Sequence, residues 1–141
     1  MASELKVDKF TGVTTAGSIL VTGEGNSTTT NLQQGLCKVW FCFDGTSTVS
    51  LLDSFNTTSI TDEATGKYTF AIANDFSNVN YSAVGMPSTN TGDGAAQSLH
   101  RADDSNVATG TIRIESTYAT ASTNALVDRD MHNVAIFGDL A

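Results

Sequence analysis

The side chains able to do acid-base or nucleophilic chemistry are few and scattered. The chain has two histidines, His100 and His132, and a hydrolase would need one of them beside a nucleophile and an orienting acid. Serines are plentiful, but none lies in a Gly-x-Ser-x-Gly elbow. His100 sits in a polar stretch and reads as a solvated loop residue; His132 opens the last apolar run and reads as a residue at a strand end. The adjacent carboxylates Asp62-Glu63 and Asp103-Asp104 fall in turn-like and loop-like sequence, where such pairs solvate the chain more often than they share a proton. Asp103 and Asp104, with Asp93 and His100, could present oxygens to a hard cation, but their spacing is not that of an EF-hand. Gly23-Glu-Gly25 and Gly92-Asp-Gly94 lack the helix and the Lys-Ser/Thr that a phosphate cradle uses, so both read as turns. The residues thus predict no catalytic group, no metal site and no cofactor. Asp93, His100, Arg101, Asp103 and Asp104 are assigned instead to an exposed contact or receptor loop.

The two cysteines, Cys37 and Cys42, stand five apart in Cys-Lys-Val-Trp-Phe-Cys. In an extended strand an odd separation places them on opposite faces, which excludes a bridge between them without a bulge and suggests two buried thiols in a reducing compartment. The start, Met1-Ala-Ser-Glu-Leu-Lys, has neither an apolar signal core nor a basic leader, which predicts a chain kept in a cytosol or released from one by lysis. In that setting the three Asn-x-Ser/Thr triplets at Asn26, Asn56 and Asn80 carry little weight.

The elements that must carry these residues are strands. Leu36 to Phe43 is the most apolar run, and Asp44-Gly45 follows it with turn chemistry. Val49 to Phe55, Thr58 to Thr61, Lys67 to Ala73, Val79 to Gly85, Thr111 to Tyr118 and His132 to Phe137 complete about seven strands. In Lys67 to Ala73 the residues Tyr68, Phe70 and Ile72 alternate onto one face, and Asp62 to Gly66 is the turn before them. Pro87, the only proline, marks a strand end, and residues 88 to 106 read as one long exposed loop. No segment has a convincing 3.6-residue periodicity. The fold expected is all-β, an antiparallel sandwich or jelly roll over residues 36 to 141, preceded by an extended, Gly- and Thr-rich arm over residues 1 to 35. Within the arm, Glu4 to Phe10 and Ser18 to Thr22 are strand-like and Gly23 to Asn31 is loop-like.

Apolar residues in two places ask for cover. In the arm these are Leu5, Val7, Ile19 and Val21. In Leu36 to Phe43 both faces are apolar, with Cys37, Val39, Phe41 and Phe43 on one and Leu36, Trp40 and Cys42 on the other. A second sheet can cover one face and a neighbouring subunit the other. Leu5, Val7, Ile19, Val21, Leu36 and Trp40 are therefore the predicted interface residues of a homo-oligomer.

Composition narrows the function. Seven Lys and Arg stand against fifteen Asp and Glu, a formal charge of −8, and no basic run could neutralise a row of phosphates, so nucleic-acid binding is not expected. No apolar stretch approaches a membrane span. Thr, Ser and Asn fill 45 of the 141 positions, which suits strands, turns and loops and disfavours helices.

A further set of residues carries a resemblance. The run Gly35 to Thr46, then Asp53 to Asp62, Thr65 to Phe70 and Asn80 to Gly85, with the opening Ser3 to Asp8 and the closing Val134 to Asp139, resembles a module of structural proteins of tailed bacteriophages, especially marine ones, where it is labelled a tail-fibre protein. The resemblance implies a non-enzymatic, β-rich virion component, commonly trimeric, assembled in the host cytoplasm and displayed on the particle surface. Other virion proteins and a host surface glycan or protein would be its partners. Two departures stand out: only 35 residues precede the module, with no shaft, and Cys37 and Cys42 replace plainer Ala or Val. Three functions follow for test: a host-contacting tail appendage, a capsid decoration protein, and a small carbohydrate-active enzyme.

Overall fold

A computed structural model of the chain describes residues 4–13, 19–23, 25, 27–88, 96–101, 107–119 and 124–141. It divides into two compact units, Met1–Leu36 and Cys37–Ala141.

In the first unit, β1 (Leu20–Thr22) and β2 (Thr29–Asn31) form an antiparallel pair. The one-turn helix α1 (Leu32–Gly35) follows. Asn31 caps α1, its side-chain oxygen accepting the backbone N–H groups of Gln33 at 2.8 Å and Gln34 at 3.3 Å. The Leu32 N–H donates to the carbonyl of Ile19, tying the helix to the start of the hairpin. Residues 4 to 10, expected as a strand, have no strand partner among the described residues. Alternation alone does not make a strand; a ladder of hydrogen bonds needs a second chain segment.

The second unit is all-β and is built as two antiparallel sheets. One sheet has the order β4 (Ser50–Phe55), β3 (Val39–Asp44), β11 (His132–Phe137), β7 (Ser82–Pro87). The other runs β10 (Asn124–Leu126), β9 (Thr111–Ala119), β6 (Lys67–Ile72), β5 (Thr57–Ala64), with β8 (Ala96–Arg101) also paired to β9. Nine strands are therefore present among the described residues, more than the expected seven. The additions are β10 and, as a correction, β8, which lies inside the stretch expected to be a single loop. The strand expected from Val79 is shifted to Ser82–Pro87, and β5 continues through Asp62 to Ala64, leaving a tight turn at Thr65-Gly66.

Alternation builds the core. Val39, Phe41 and Phe43 from β3, Tyr68, Phe70 and Ile72 from β6, Ile112 and Ile114 from β9, and Val134 and Ile136 from β11 all point between the sheets and are buried. The rings of Phe41 and Phe70 stack across the interior with centroids 3.9 Å apart, and Phe43 meets Phe70 edge-on at 5.0 Å. Phe76 and Tyr81 close one margin, stacked at 4.7 Å.

Two turns hold the backbone at positive φ, one between the sheets and one within a sheet. Asn56, at φ 58°, joins β4 to β5 in the left-handed region that asparagine tolerates. Its amide donates to the carbonyls of Lys38 and Asn74 and accepts the Asn74 N–H at 2.8 Å. Gly66, at φ +66°, turns β5 into β6; a Cβ there would stand 2.6 Å from the Ser116 carbonyl oxygen, so only glycine fits.

Candidate functional site

The residues of the expected contact loop separate in the structure. Asp93, Asp103 and Asp104 lie outside the described residues. His100 and Arg101 belong to β8, whose pairing with β9 sets His100 opposite Glu115 and Arg101 opposite Ile114. His100 is half exposed on the outer side of that sheet, with its Nε2 3.6 Å from a Glu115 oxygen, and Glu115 also meets Lys67 at 3.2 Å. The Arg101 guanidinium lies over the Tyr81 ring, 5.3 Å from its centroid. His100 and Arg101 therefore sit on a paired strand, their backbone held by the β9 ladder, and correct the expectation that they share one loop.

The second histidine opens the last strand, as expected, but its burial was not anticipated. His132 is fully buried. Its ring stacks on Phe43 with centroids 4.3 Å apart and stands 5.6 Å from the Tyr68 ring. Neither ring nitrogen has a hydrogen-bond partner. Burial pushes its pKa down to about 4, while the nearby Phe43 backbone and the carboxylates of Asp128, Asp130 and Asp44 pull weakly upward without forming a hydrogen bond to the ring. The signal was present in the sequence: His132, Val134 and Ile136 share one parity, so the histidine points inward with them.

Beside it, the Tyr68 hydroxyl donates to Asp128 at 2.7 Å, and the same carboxylate oxygen accepts the Gly66 N–H at 2.6 Å. Burial and then the Asp128 hydrogen bond and charge raise the Tyr68 pKa far above its ordinary value. Gly45 sits against this group, where a Cβ would overlap the Tyr68 hydroxyl. At the surface nearby, Asp44 caps its own turn by accepting from the Thr46 hydroxyl at 2.6 Å and N–H at 2.7 Å, which lowers its pKa. The cluster is a fastening: Tyr68–Asp128–Gly66 ties β6 and its turn to the segment before β11. Among the described residues His132 hydrogen-bonds no serine, cysteine or carboxylate through which it could pass a proton. Among the described residues no three His, Cys, Asp or Glu side chains converge to hold a metal.

The most unusual surface is the outer face of the four-stranded sheet. Pairing registers fix two rows across it. One row runs Phe55, Trp40, Ala135, Val84, and the next runs Asp53, Cys42, Asn133, Met86. The β4–β3 register slips between Cys42 and Phe43, so that Leu51 faces the core, Asp53 and Phe55 face outward, and Leu52 is the extra, exposed residue of a bulge. Phe55, Val84 and Met86 are more than half exposed, and Trp40 is 38 % exposed. Trp40, Cys42, Val84, Gly85, Met86, Asn133 and Ala135 line an apolar trough along β11. All of these residues are described ones, and Asp53 is the only ionisable carboxylate in the two rows.

Of the predicted interface residues, Trp40 stands at the centre of this face, while Leu5, Val7, Val21 and Leu36 are exposed and Ile19 is half-buried within the first unit. Cys37 and Cys42 are both free and half-buried. The Cys37 thiol donates to the Val39 carbonyl at 3.0 Å, whereas Cys42 belongs to the outer row. Among the described residues no helix is long and apolar enough to cross a membrane. Comparison of the chain with protein-family models, with curated proteins and with solved structures finds no match in any of the three.

Proposed function

We propose that this chain is a non-enzymatic structural protein of a tailed-phage virion, a surface-displayed appendage of tail-fibre type that is assembled in the host cytoplasm and takes part in host attachment. The observation that carries the reading is the open apolar face of the four-stranded sheet. Its inner side chains fill a complete core, while Phe55, Trp40, Val84 and Met86 on the other side remain uncovered. Contiguous apolar surface of this kind marks an interaction site, and a protein built into a particle is where such a face is covered permanently. The sequence motifs supply the phage setting and the expected trimer. The −8 charge and the Thr- and Ser-rich outer strands suit the parts that stay in water.

A capsid decoration protein is the second reading: a two-sheet unit with one uncovered apolar face is suited to lying on a lattice as well as to ending a fibre. Quantitative mass spectrometry of purified particles separates the two. About a dozen copies per particle supports the tail and hundreds of copies support the capsid; absence from the particle overturns both. A carbohydrate-active enzyme would have to draw on His100 and the carboxylates Asp93, Asp103 and Asp104. Alanine at His100, Asp103 and Asp104 together is expected to leave infectivity intact.

A further inference from the structure

We propose that the outer face of β4, β3, β11 and β7 is the surface on which a second copy of this chain docks, with Trp40 of one copy seated in the trough of the other. The inference rests on the structural reading above and deepens it by naming what covers the face.

Three features favour a copy of the same chain over a different protein. The first is charge. A chain at −8 repels its own copies least where it carries little charge; the two central rows Phe55–Trp40–Ala135–Val84 and Asp53–Cys42–Asn133–Met86 hold Asp53 alone, at the sheet edge, and Asp44 follows only at the end of β3, where it is tied to the Thr46 turn. A basic partner would be met by carboxylates spread through its footprint, and this footprint has none in its middle. The second is shape. In the row Phe55–Trp40–Ala135–Val84 the two large rings stand beside the small Ala135, so the face carries both a ridge, Phe55 and Trp40, and a hollow over Ala135 on β11. A surface holding both halves of a fit can be complementary to itself.

The third is size. Four strands spaced about 4.8 Å apart and six residues long at about 3.3 Å each give a footprint of roughly 400 Å² per copy. Two such faces bury roughly 800 Å² in total, below the roughly 1,000 Å² of a stable specific contact, so the association is weak and depends on concentration.

The test uses the full chain in solution, alone. Sedimentation or light scattering over a dilution series is expected to show assembly at high concentration and monomer when dilute. Added salt should strengthen the assembly by screening like charges; a contact between opposite charges would weaken instead. W40E and, independently, V84E place a carboxylate on the face without entering the core, and each is expected to give monomer at every concentration with an unchanged far-ultraviolet dichroism spectrum. Cys42, which lies on the face, should react with a thiol reagent at least several-fold more slowly in the assembled than in the dilute protein, read by mass spectrometry of the labelled peptide. A wild-type chain that stays monomeric throughout overturns the proposal and leaves a different virion protein as the occupant. Assembly that survives both W40E and V84E, or Cys42 labelling indifferent to concentration, overturns it equally. Absence of the protein from the virion, by contrast, defeats the functional reading while leaving self-association standing, so the two failures are distinguishable.

Discussion

Phe41 and Trp40 are adjacent on β3 and similar in bulk, yet Phe41 is 1 % exposed and Trp40 38 %. Phe41 stacks on Phe70 from the opposite sheet, whereas the row neighbours of Trp40 are Phe55 and Ala135 of its own sheet. The same strand thus presents one face that the chain covers by folding and one that it does not. An antiparallel strand with a water-facing side normally alternates apolar with polar residues; here both sides are apolar. The residues inward of β3 are explained by the packing of the two sheets, and those outward of it are the ones the proposed contact would cover. Comparison of matched substitutions on the two faces is therefore the most direct probe of which residues serve stability and which serve assembly.

The largest expected effect is on the inward side. Phe41→Ala removes one ring of the stacked pair and leaves a cavity between the sheets, at a cost of about 3–5 kcal/mol. Urea unfolding of the dilute protein measures it as a lower midpoint with an unchanged slope. A loss below about 1 kcal/mol would mean that the two sheets do not close on each other at this point.

Next in size is a pH effect from the inward-facing histidine. The ordinary His pKa of 6.5 applies to the unfolded chain, and the folded value is lowered to about 4, so the unfolded state binds the proton more readily. Stability is then full above pH 6.5 and falls as pH drops from 6.5 toward 4, with a total on the order of 3 kcal/mol. His132→Phe keeps the stacking on Phe43, removes the two unpartnered nitrogens, and should flatten the stability profile between pH 6.5 and 5, where carboxylate titration contributes least. Equal slopes for wild type and variant in that window would show that His132 is not held neutral in the core.

How much of this was legible depended on whether a strand had an apolar parity of its own. Lys67 to Ile72, with Tyr68, Phe70 and Ile72 inward, and Thr111 to Tyr118, with Ile112 and Ile114 inward, were readable because their core residues recur every second position. β8 was not: in Ala96–Arg101 the only large apolar residue is Leu99, and the strand exists because β9 offers it a ladder, a long-range condition that local composition does not express. The converse failure is Glu4 to Phe10, where Leu5 and Val7 alternate with charges but no segment among the described residues pairs with them. The two-sided apolarity of β3 was readable, and so was Trp40. Phe55, Val84 and Met86 became part of the same surface only through the registers that set them beside Trp40 and Ala135.

Gly66→Ala tests a point where backbone rather than side-chain burial decides. The new Cβ would meet the Ser116 carbonyl at 2.6 Å with φ at +66°, so a loss of about 2 kcal/mol is expected, again read from the urea midpoint. A neutral result would mean that the β5–β6 turn relaxes without disturbing β9.

The smallest expected change in stability belongs to the outward partner of the first comparison. Trp40→Ala removes a larger side chain than Phe41→Ala does, so if size alone governed cost it would be the worse substitution. In the dilute monomer, however, Trp40 retains substantial contact with water and its removal opens no interior cavity, which limits the loss to about 1 kcal/mol or less. The same substitution strips the centre from the proposed contact face, so its consequence moves from folding to association. Unfolding followed at two protein concentrations separates the quantities: the variant and wild type should nearly coincide when dilute and diverge when concentrated, because only wild type gains stability by mass action. Divergence already present in the dilute limit would place Trp40 in the core's account rather than the interface's, and the distinction between the two faces of β3 would lose its meaning.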